Sequence, residues 1–295
     1  MTVVYYGMAG VENILDEILE YGVDVKNDRT GEMTRAIFDG KIVLENGFEF
    51  TTNVLASPRL AFEEFMFFLR GQTDTSILEE KGVNFWVGNT SREFLDARGL
   101  THLPEKSIGS AYSKQWRDSG GIDQLERLVN GLKNDRYGRR HLIDLWNPSE
   151  EHEMPLTPCH YASQYVILPC PRGGKDILNV KLVNRSLDTA FGARFAIMQY
   201  TIFQMMLAKM LGCSVGSFSL DLTHIHVYTN QIEYIRELLG REYVECSPDG
   251  ISNSLKFTKD IDTLEDLLSV EWEDFEMTYE WNKTPFKTKR PDMVA

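Results

Sequence analysis

The sequence contains no long hydrophobic run. Across its 295 residues, no stretch approaches the roughly 18 apolar residues that a membrane-spanning helix needs. The N-terminal segment MTVVYYGMAGVENILDE has no basic flank before its apolar patch, so it matches neither a secretory signal nor a transit peptide. We therefore expect a protein that works in the cytoplasm, away from membranes.

Cysteine is scarce. The sequence has four cysteines, Cys159, Cys170, Cys213 and Cys246, and no two of them form a CxxC pair. Their wide spacing argues against a disulfide framework and is typical of a reducing compartment. A single cysteine in such a chain can serve as a reactive thiol instead of a cross-link.

Basic residues are outnumbered. The 31 lysines and arginines face 44 aspartates and glutamates, which gives a formal net charge of −13. This balance opposes a duplex nucleic acid or an anionic membrane surface as a partner. Apolar residues at 42% and charged residues at 25% exclude a disordered or fibrous chain. Because repeats, low-complexity stretches and linkers are also lacking, we predict one domain over residues 1–295.

Helical and strand patterns follow one another without the regular spacing of βαβ units. Helical periodicity predicts helices over 11–21, 58–69, 75–80, 122–132, 192–211 and 228–239. Alternating or β-rich runs predict strands over 36–44, 47–50, 162–168 and 177–183. This order predicts an α+β fold.

The segment Thr157-Pro158-Cys159-His160 stands at the start of a predicted strand. A cysteine held there can face a cleft, and nearby cations would stabilise the thiolate that nucleophilic chemistry needs. A buried structural cysteine is the alternative. His160 is a poor candidate for its general base, because adjacent residues on a strand point to opposite faces.

Three arginine motifs could form one phosphate site. They are Arg29 in NDRTG, the pair Arg139-Arg140, and Arg185 in NRSLD, where Ser186 could add a hydroxyl donor. Arginine forks match phosphate oxygens bidentately, and in an acidic protein their convergence indicates a specific anion site. Taken singly, each arginine is more often a solvated surface charge.

Two further motifs place polar side chains where they could take part in catalysis or ligand binding. Glu64 lies in the helical run EEFMFFLRG, where burial would raise its pKa and allow it to relay protons; the alternative is that Glu63 faces inward and Glu64 faces solvent. His224, His226 and Tyr228 share one strand face. We expect them to bond a sugar hydroxyl, and we predict no metal site, because ligand spacing is lacking.

Ten segments occur together in an order that resembles one enzyme family. They extend from about residue 26 to the last residue and read NDRTG, EEFMFFLRGQTD, FWVGNTSREFLD, YSKQWR, LKNDRYGRRHLI, LWNPSE, TPCHY, NRSLD, HVYTNQ and MVA. With them the sequence resembles the thymidylate synthase family, which includes the phage deoxynucleotide hydroxymethylases. The resemblance implies a mixed β-sheet flanked by helices, with one sheet face used for dimerisation.

The resemblance implies covalent one-carbon transfer to a pyrimidine nucleotide. Cys159 would attack C6 of the ring, and C5 would then take a one-carbon unit from the co-substrate 5,10-methylenetetrahydrofolate. Arg185 would contact both the phosphate and the thiol. The remaining implied phosphate contacts are Arg29 and Ser186 from the same chain and Arg139 and Arg140 from a second subunit. The implied assembly is therefore a homodimer with shared active sites.

Other roles follow from the same resemblance. His226 and Tyr228 match the pair that bonds the sugar 3′-hydroxyl and, with Ser186, favour a deoxyribose. Glu64 matches the glutamate that organises proton-relaying waters, and Tyr112 matches the tyrosine that assists removal of the C5 proton. The implied folate contacts are Trp86, Asn89, Asp188, which is also placed beside the nucleotide, and the tail ending at Ala295, which would close over the folate.

One departure from the family pattern affects the base-binding position. Ala196 stands where thymidylate synthases carry an asparagine that reads O4 and N3 of the pyrimidine, and where deoxycytidylate hydroxymethylases carry an aspartate. Alanine offers no hydrogen bond, so the base would be read by water, by a neighbour such as Arg194, or loosely.

Further departures lie nearby. Asn184 replaces a glutamine, and His224 replaces an aspartate and could face the base. Asn53-Val54 stand in place of a Lys-Arg pair, which puts polyglutamate binding in doubt.

Two products are compatible with these residues. Hydride transfer from the folate to the C5 methylene gives a methyl group, and Trp86 and the tail favour it by excluding water. Attack by water gives a hydroxymethyl group, which a hollow at Ala196 and a nearby histidine favour. We favour 5-hydroxymethylation of dUMP in a bacterial or phage-infected cytoplasm. The alternatives are thymidylate synthesis, which converts dUMP to dTMP and releases dihydrofolate, and hydroxymethylation or methylation of dCMP.

Two other classes of function fit less well. A nucleotide- or RNA-binding homologue without turnover has no need to keep Cys159, Arg185, Glu64 and Tyr112 together, and the net charge of −13 opposes RNA. A cysteine hydrolase requires a histidine and an Asn/Asp partner for the thiol, and the sequence offers no convincing set.

Overall fold

The computed structural model describes residues 3–28, 31–244 and 253–291. In these residues the helices are α1 (Gly10–Tyr21), α2 (Pro58–Leu69), α3 (Ser76–Glu80), α4 (Arg92–Ala97), α5 (Tyr112–Arg117), α6 (Gln124–Asn134), α7 (Gly192–Met210), α8 (Ile232–Leu239) and α9 (Leu264–Leu268). The strands are β1 (Val4–Tyr6), β2 (Val23–Lys26), β3 (Met33–Leu44), β4 (Leu142–Asp144), β5 (His160–Leu168), β6 (Ile177–Asp188), β7 (Ser214–Tyr228), β8 (Ser254–Phe257) and β9 (Phe275–Thr278). None of these helices is both long and apolar enough to cross a membrane.

Seven of the described strands form one sheet. Their order is β1-β3-β7-β6-β5-β4, and β2 pairs with the first residues of β3. β1 runs parallel to β3 and β6 runs parallel to β7, whereas the other pairs are antiparallel. Helix α7 packs on β6 and β7, α1 packs on β3, and α2 packs against α7. The predicted α+β fold with a mixed sheet and flanking helices is confirmed.

The two faces of the sheet differ in burial because side chains alternate along a strand. In β7, Phe218 and Leu220 are fully buried, while Ser219 and Asp221 between and beside them are partly exposed. On this outer face Asp221 forms ion pairs with lysines from β3 and β6, one of them Lys41 at 3.4 Å. The inner face therefore carries the hydrophobic core, and the outer face is a second surface of mixed character.

The topology brings the start of β5 and the ends of β6 and β7 to the same side of the sheet, where the strand termini lie. β5 runs antiparallel to β6, so its first residue, His160, pairs with Asn184 near the end of β6. β6 and β7 are parallel, so their last residues also meet, with Asp188 opposite His226. Side chains at the start of β5 and at the ends of β6 and β7 are consequently neighbours.

Two predicted elements are corrected. Residues 47–50 are not a strand: the chain turns at Gly47, where φ is 77°, and Phe50 then stacks on Tyr279 with ring centroids 4.6 Å apart. This packing against a segment distant in sequence replaces strand pairing. The helix predicted over 228–239 begins only at Ile232, because β7 continues to Tyr228.

Candidate functional site

A cleft of about 380 Å³ opens at the strand termini where β5 begins and β6 and β7 end. Helices α2, α5 and α7 form further parts of its wall, and segments 85–98 and 155–157 contribute to it together with Asn27 and Arg290. Many residues predicted for the site line this cleft together: Glu64, Trp86, Asn89, Tyr112, Cys159, Arg185, Ser186, Asp188, Ala196, His226 and Tyr228.

Cys159 precedes the first residue of β5 and is partly exposed to the cleft. Its backbone N–H donates to the Tyr112 hydroxyl oxygen at 2.7 Å, and its carbonyl accepts from the Arg185 N–H at 2.9 Å. The backbone on both sides of the cysteine is therefore fixed by residues of the cleft. This arrangement excludes the alternative of a structural cysteine sealed in the core.

The Arg185 side chain is bonded to the segment that carries the cysteine. Its Nε donates to the Pro158 carbonyl at 2.8 Å, and its Nη2 donates to the carbonyl and hydroxyl of Thr157 at 2.9 and 2.7 Å. The guanidinium also lies over the Trp146 ring, 5.2 Å from its centroid. These contacts hold a permanent positive charge beside Cys159, where it can stabilise a thiolate or an anionic ligand.

The Glu64 carboxylate is held by two donors. Trp86 Nε1 donates to one oxygen at 2.7 Å, and Gln199 Nε2 donates to the other at 2.6 Å. Burial raises the pKa of Glu64 to about 7, and the two hydrogen bonds oppose this rise. Glu63 is also buried, but its carboxylate pairs with Lys81 at 2.6 Å and lies outside the cleft lining. Glu64 is thus the carboxylate that reaches the site.

Tyr112 stands at the start of α5, and its ring stacks on Phe68 with centroids 4.7 Å apart. Burial raises the pKa of Tyr112 well above its usual value, so the hydroxyl stays protonated at neutral pH. His160 lies beside it and contacts the Tyr200 hydroxyl through Nδ1 at 3.1 Å. Burial lowers the pKa of His160 to about 3, so the ring is neutral and only weakly basic, although it lines the same cleft as Cys159.

His226 and Tyr228 meet on one face of β7, with ring centroids 5.5 Å apart. Burial lowers the pKa of His226 to about 4, which keeps a neutral imidazole in the cleft. Asp188, at the end of β6, accepts from Gln231 Nε2 at 3.1 Å, and burial raises its pKa to about 6. His224 is the exception: it is exposed, touches His226 at 3.3 Å, and lies outside the cleft lining. Its predicted place near the base is wrong.

Arg194 does not read a ligand in the cleft. Its side chain is buried and pairs with Glu12 of α1 at 2.5 Å, and it lies outside the cleft lining. On α7, residues three or four apart share a face, so Ala196 points into the cleft while Arg194 points toward α1. The prediction that Arg194 could replace the missing asparagine is therefore wrong.

Two predicted phosphate ligands lie apart from the others. Arg139 and Arg140 are exposed, and Arg140 is 3.9 Å from Asp135. Neither lines the cleft of its own chain. Arg29 and Ala295, which were predicted to bind the phosphate and to close over the folate, lie outside the described residues, so their roles stay predictions.

Several lining residues were missed by the sequence analysis. Gln199 follows Ala196 by three positions on α7, and helical periodicity would have identified it. Arg98 and Arg290 place positive charges at the cleft, and Asn27 adds an amide. Arg290 lies over the Phe191 ring at 4.7 Å, a contact with the C-terminal segment that no local pattern indicates. Among the described residues, no group of three or more His, Cys, Asp or Glu side chains is placed to hold a metal ion.

Comparison with known proteins gives a consistent result. A sequence profile described as thymidylate synthase matches residues 11–288. A probable thymidylate synthase of Schizosaccharomyces pombe is 36% identical over 250 residues, which cover 78% of this chain and 39% of that protein. Bifunctional dihydrofolate reductase-thymidylate synthases of Paramecium tetraurelia and Crithidia fasciculata are 34% and 33% identical, over 78% and 88% of this chain and 51% of each relative.

The chain spans about half the length, or less, of these relatives. The profile, by contrast, extends over nearly the whole of the present sequence. Cys159, Arg185, Tyr112 and Glu64 of the cleft lie within the matched region. The chain belongs to the thymidylate synthase family.

Proposed function

We propose that the protein methylates dUMP at C5 to give dTMP. The observation that carries the proposal is the bonded cluster of the cleft, in which Tyr112 contacts the Cys159 backbone at 2.7 Å and Glu64 is held by Trp86 at 2.7 Å. The cluster combines a nucleophile, a protonated hydroxyl and a carboxylate that titrates near neutral pH. These are the groups that addition to a pyrimidine and removal of its C5 proton require.

The first step is addition of the Cys159 thiolate to C6 of the pyrimidine. The C5–C6 π electrons move toward C5 and the 4-oxo oxygen, which makes C5 a nucleophile. The Arg185 guanidinium, bonded to Thr157 and Pro158, supplies positive charge beside the thiolate and the nucleotide phosphate. Ser186 adds a hydroxyl on the phosphate side, while His226 and Tyr228 bond the sugar hydroxyl.

Proton transfer falls to Glu64 and Tyr112. A carboxyl group with a pKa of about 7 exchanges its proton at neutral pH and can pass it through water to the 4-oxo oxygen. Tyr112 stays protonated, so its hydroxyl orients the water that takes the C5 proton. His160 and His226 are neutral at neutral pH, so neither supplies the acidic proton of an imidazolium, and each keeps one ring N–H for hydrogen bonding.

The folate co-substrate supplies the one-carbon unit and the hydride. Aromatic side chains line the cleft beside Cys159, and a flat fused ring can pack against them. Asp188 and Asn89 lie in the same lining and offer hydrogen-bonding groups for a ring with several N–H donors. We assign Trp86, Asn89 and Asp188 to the folate.

A methyl product is better supported than the hydroxymethyl product favoured by the sequence alone. The relatives reported above carry the name thymidylate synthase. The polar histidine expected to hold water near the base, His224, is exposed and lies outside the cleft lining. Trp86, which would keep water from the C5 methylene, is 5% exposed and bonded to Glu64. The position of His224 outside the cleft lining and the shielded position of Trp86 both favour hydride transfer over attack by water.

The proposal includes a homodimer with shared sites. Arg139 and Arg140 lie outside the cleft of their own chain, although their motif belongs to the predicted phosphate site. On the outer face of the sheet, Val43, Val166 and Val183 are partly exposed, and a second sheet could cover them. A partner packed there would bring its arginine pair toward the phosphate of the first subunit. We place the reaction in the cytoplasm.

Mass spectrometry of the products tests this proposal. The protein is incubated with 5,10-methylenetetrahydrofolate and either dUMP or dCMP. Methylation adds CH2 to the nucleotide and releases dihydrofolate, whereas hydroxymethylation adds CH2O and releases tetrahydrofolate. We expect the first result with dUMP. A CH2O gain would restore the hydroxymethyl alternative, a product from dCMP alone would reverse the base assignment, and no product from either would refute the proposal.

A further inference from the structure

Helix α7 presents one face to the cleft, formed by Gly192, Phe195, Ala196 and Gln199. The spacing of these residues, i, i+3, i+4 and i+7, places them in one row along the helix. Among these four described residues, Gln199 has the one side chain that can form hydrogen bonds. Its side chain is nearly buried, with 2% exposure, so the amide stands in a largely dry part of the cleft.

The Gln199 amide has a fixed orientation. Its Nε2 donates to the Glu64 carboxylate at 2.6 Å, and the other Glu64 oxygen accepts from Trp86 at 2.7 Å. A glutamine amide carries two N–H donors and one oxygen acceptor. One donor is used by Glu64, and the second donor and the oxygen remain for a ligand in the cleft.

We propose that Gln199 selects uracil over cytosine as the pyrimidine base. In this assignment, which rests on the proposed function, the second N–H of Gln199 donates to the 4-oxo group and the Gln199 oxygen accepts the N3–H. Cytosine offers the opposite pattern, with an amino donor at position 4 and an acceptor at N3. The amide would have to turn over to serve it.

Glu64 makes that rotation costly. When Glu64 is ionised, a flipped amide would point its oxygen at the carboxylate oxygen that Nε2 now contacts at 2.6 Å, so two acceptors would face each other; the base preference should therefore be measured above pH 7, where the carboxylate is charged. Glu64 therefore acts as a positioning residue for base selection, in addition to its part in proton transfer.

Two other polar side chains near the base region are wholly or partly engaged by other contacts, although Asn184 also lines the cleft. Arg194 is paired with Glu12, and the Asn184 side-chain oxygen accepts from the Ser186 N–H at 2.9 Å. Ala196 has no polar atom in its side chain. The amide of Gln199, one turn further along the same helix face, is thus the group with the right chemistry to complete the wall that Ala196 leaves apolar.

The test compares the binding of dUMP and dCMP by calorimetry, without folate. We expect the wild type to bind dUMP at least about tenfold more tightly than dCMP, which is the effect of one or two hydrogen bonds made with one base and lost with the other. Gln199→Met keeps the volume and removes the amide, and we expect the preference to fall to less than about threefold. Adding Ala196→Asn to that variant returns an amide to the same helix face and should restore part of the preference.

Gln204→Met is the matched control. Gln204 is a buried amide on the same helix that donates to the Leu178 carbonyl at 2.8 Å and lies outside the cleft lining. Its loss should leave the dUMP to dCMP ratio unchanged. Glu64→Gln provides an independent variant, because an amide at residue 64 accepts either orientation of Gln199, and the preference should again fall.

The outcomes separate this inference from the function it rests on. If the wild type prefers dUMP and Gln199→Met and Glu64→Gln both retain that preference, the assignment of Gln199 is wrong while the proposed function stands. If the wild type binds neither nucleotide, the proposed function fails and the inference fails with it.

Discussion

The backbone N–H of Cys159 donates to the hydroxyl oxygen of Tyr112 at 2.7 Å, across 47 positions of sequence. This bond ties the first residue of α5 to the start of β5. The Tyr112 oxygen accepts from the peptide group, so its own proton is directed elsewhere, toward the cleft that both residues line. In the proposed mechanism, one hydroxyl thereby both positions the nucleophile and presents a proton beside it.

Tyr112→Phe should separate these two effects from simple packing. We expect kcat to fall about 100-fold, since a group that assists proton transfer is lost, with a smaller change in KM for dUMP. The unpaired N–H of Cys159 should also lower the free energy of unfolding by about 1 to 2 kcal/mol. Steady-state kinetics and urea unfolding measure the two quantities.

Tyr200→Phe is the control for that variant. Tyr200 is 1% exposed, and its hydroxyl lies 3.1 Å from His160 Nδ1, outside the cleft lining. Its loss should cost similar stability with little change in kcat. Equal losses of kcat in the two variants would show that Tyr112 acts through packing alone.

Cys159→Ala should abolish turnover and leave nucleotide binding intact. In the proposed complex, other side chains contact the phosphate and the sugar, so we expect the Kd for dUMP to change less than about fivefold while kcat becomes undetectable. Cys170→Ala is the matched control, because Cys170 lies in the turn between β5 and β6 and lines no part of the cleft. Turnover by Cys159→Ala would contradict the covalent mechanism.

Glu64 should make stability depend on pH. Its pKa is about 7 in the folded chain and about 4.5 when unperturbed, so the folded state keeps a proton that the unfolded state releases between these values. The free energy of unfolding therefore falls as pH rises from about 4.5 to about 7, by up to about 3 kcal/mol, and is constant above. Glu64→Gln should remove this contribution, which urea unfolding from pH 4.5 to 8 measures as the difference between the two proteins.

Two features make that experiment specific to the Glu64 carboxylate. Asp188, whose pKa of about 6 also exceeds its usual value, is present in both proteins, so its contribution cancels in the difference. Trp86→Phe removes a donor that lowers the Glu64 pKa and should move the fall in stability to higher pH. Identical pH profiles for wild type and Glu64→Gln would mean that the carboxylate has no raised pKa.

Much of this site could be predicted because its chemistry is carried by short segments with distinctive residues. Cys159, Arg185 and Tyr112 were found from TPCHY, NRSLD and YSKQWR, and the structure brings these segments to one cleft. Helices were predicted well where apolar periodicity is continuous, as in α2 and α7. In these cases the local pattern and the tertiary packing favour the same arrangement.

The failures arise where a contact distant in sequence decides the outcome. Phe50 lies in a predicted strand but stacks on Tyr279. Arg194 is only two residues from the cleft-lining Ala196, but its side chain pairs with Glu12 of α1. His224 shares a strand face with His226, yet it is exposed, because it lies in β7 just before the residues that reach the cleft. The periodicity of a helix or strand predicts which face of the element a side chain lies on, but it does not predict which distant residue that side chain contacts.

The buried pair of Glu12 and Arg194 should contribute to stability and not to base recognition. Their atoms are 2.5 Å apart, with 7% and 5% of the side chains exposed. Removing one partner leaves an uncompensated buried charge, so Glu12→Gln and Arg194→Met should each cost about 3 to 5 kcal/mol in free energy of unfolding. The double variant Glu12→Leu/Arg194→Met should be more stable than either, as urea unfolding will measure. A changed dUMP to dCMP binding ratio in the double variant would instead assign Arg194 to the base site.

Mixed dimers test whether Arg139 serves the neighbouring subunit. Cys159→Ala and Arg139→Ala chains are each expected to be inactive as homodimers. If each cleft takes its cysteine from one chain and Arg139 from the other, a mixed dimer has one cleft with both defects and one intact cleft. Random exchange makes about half of the dimers mixed, so activity should return to about a quarter of the wild-type value.

Cys159→Ala mixed with Glu64→Ala is the control for exchange. Both residues line the cleft of the same chain, so each cleft of that mixed dimer retains one defect and activity should stay absent. Recovery in the first mixture and none in the second requires that Arg139 acts across the interface. Absence of recovery in both, with exchange confirmed by mass and both parent homodimers inactive, would mean that Arg139 serves the cleft of its own chain, and the shared site would have to be abandoned.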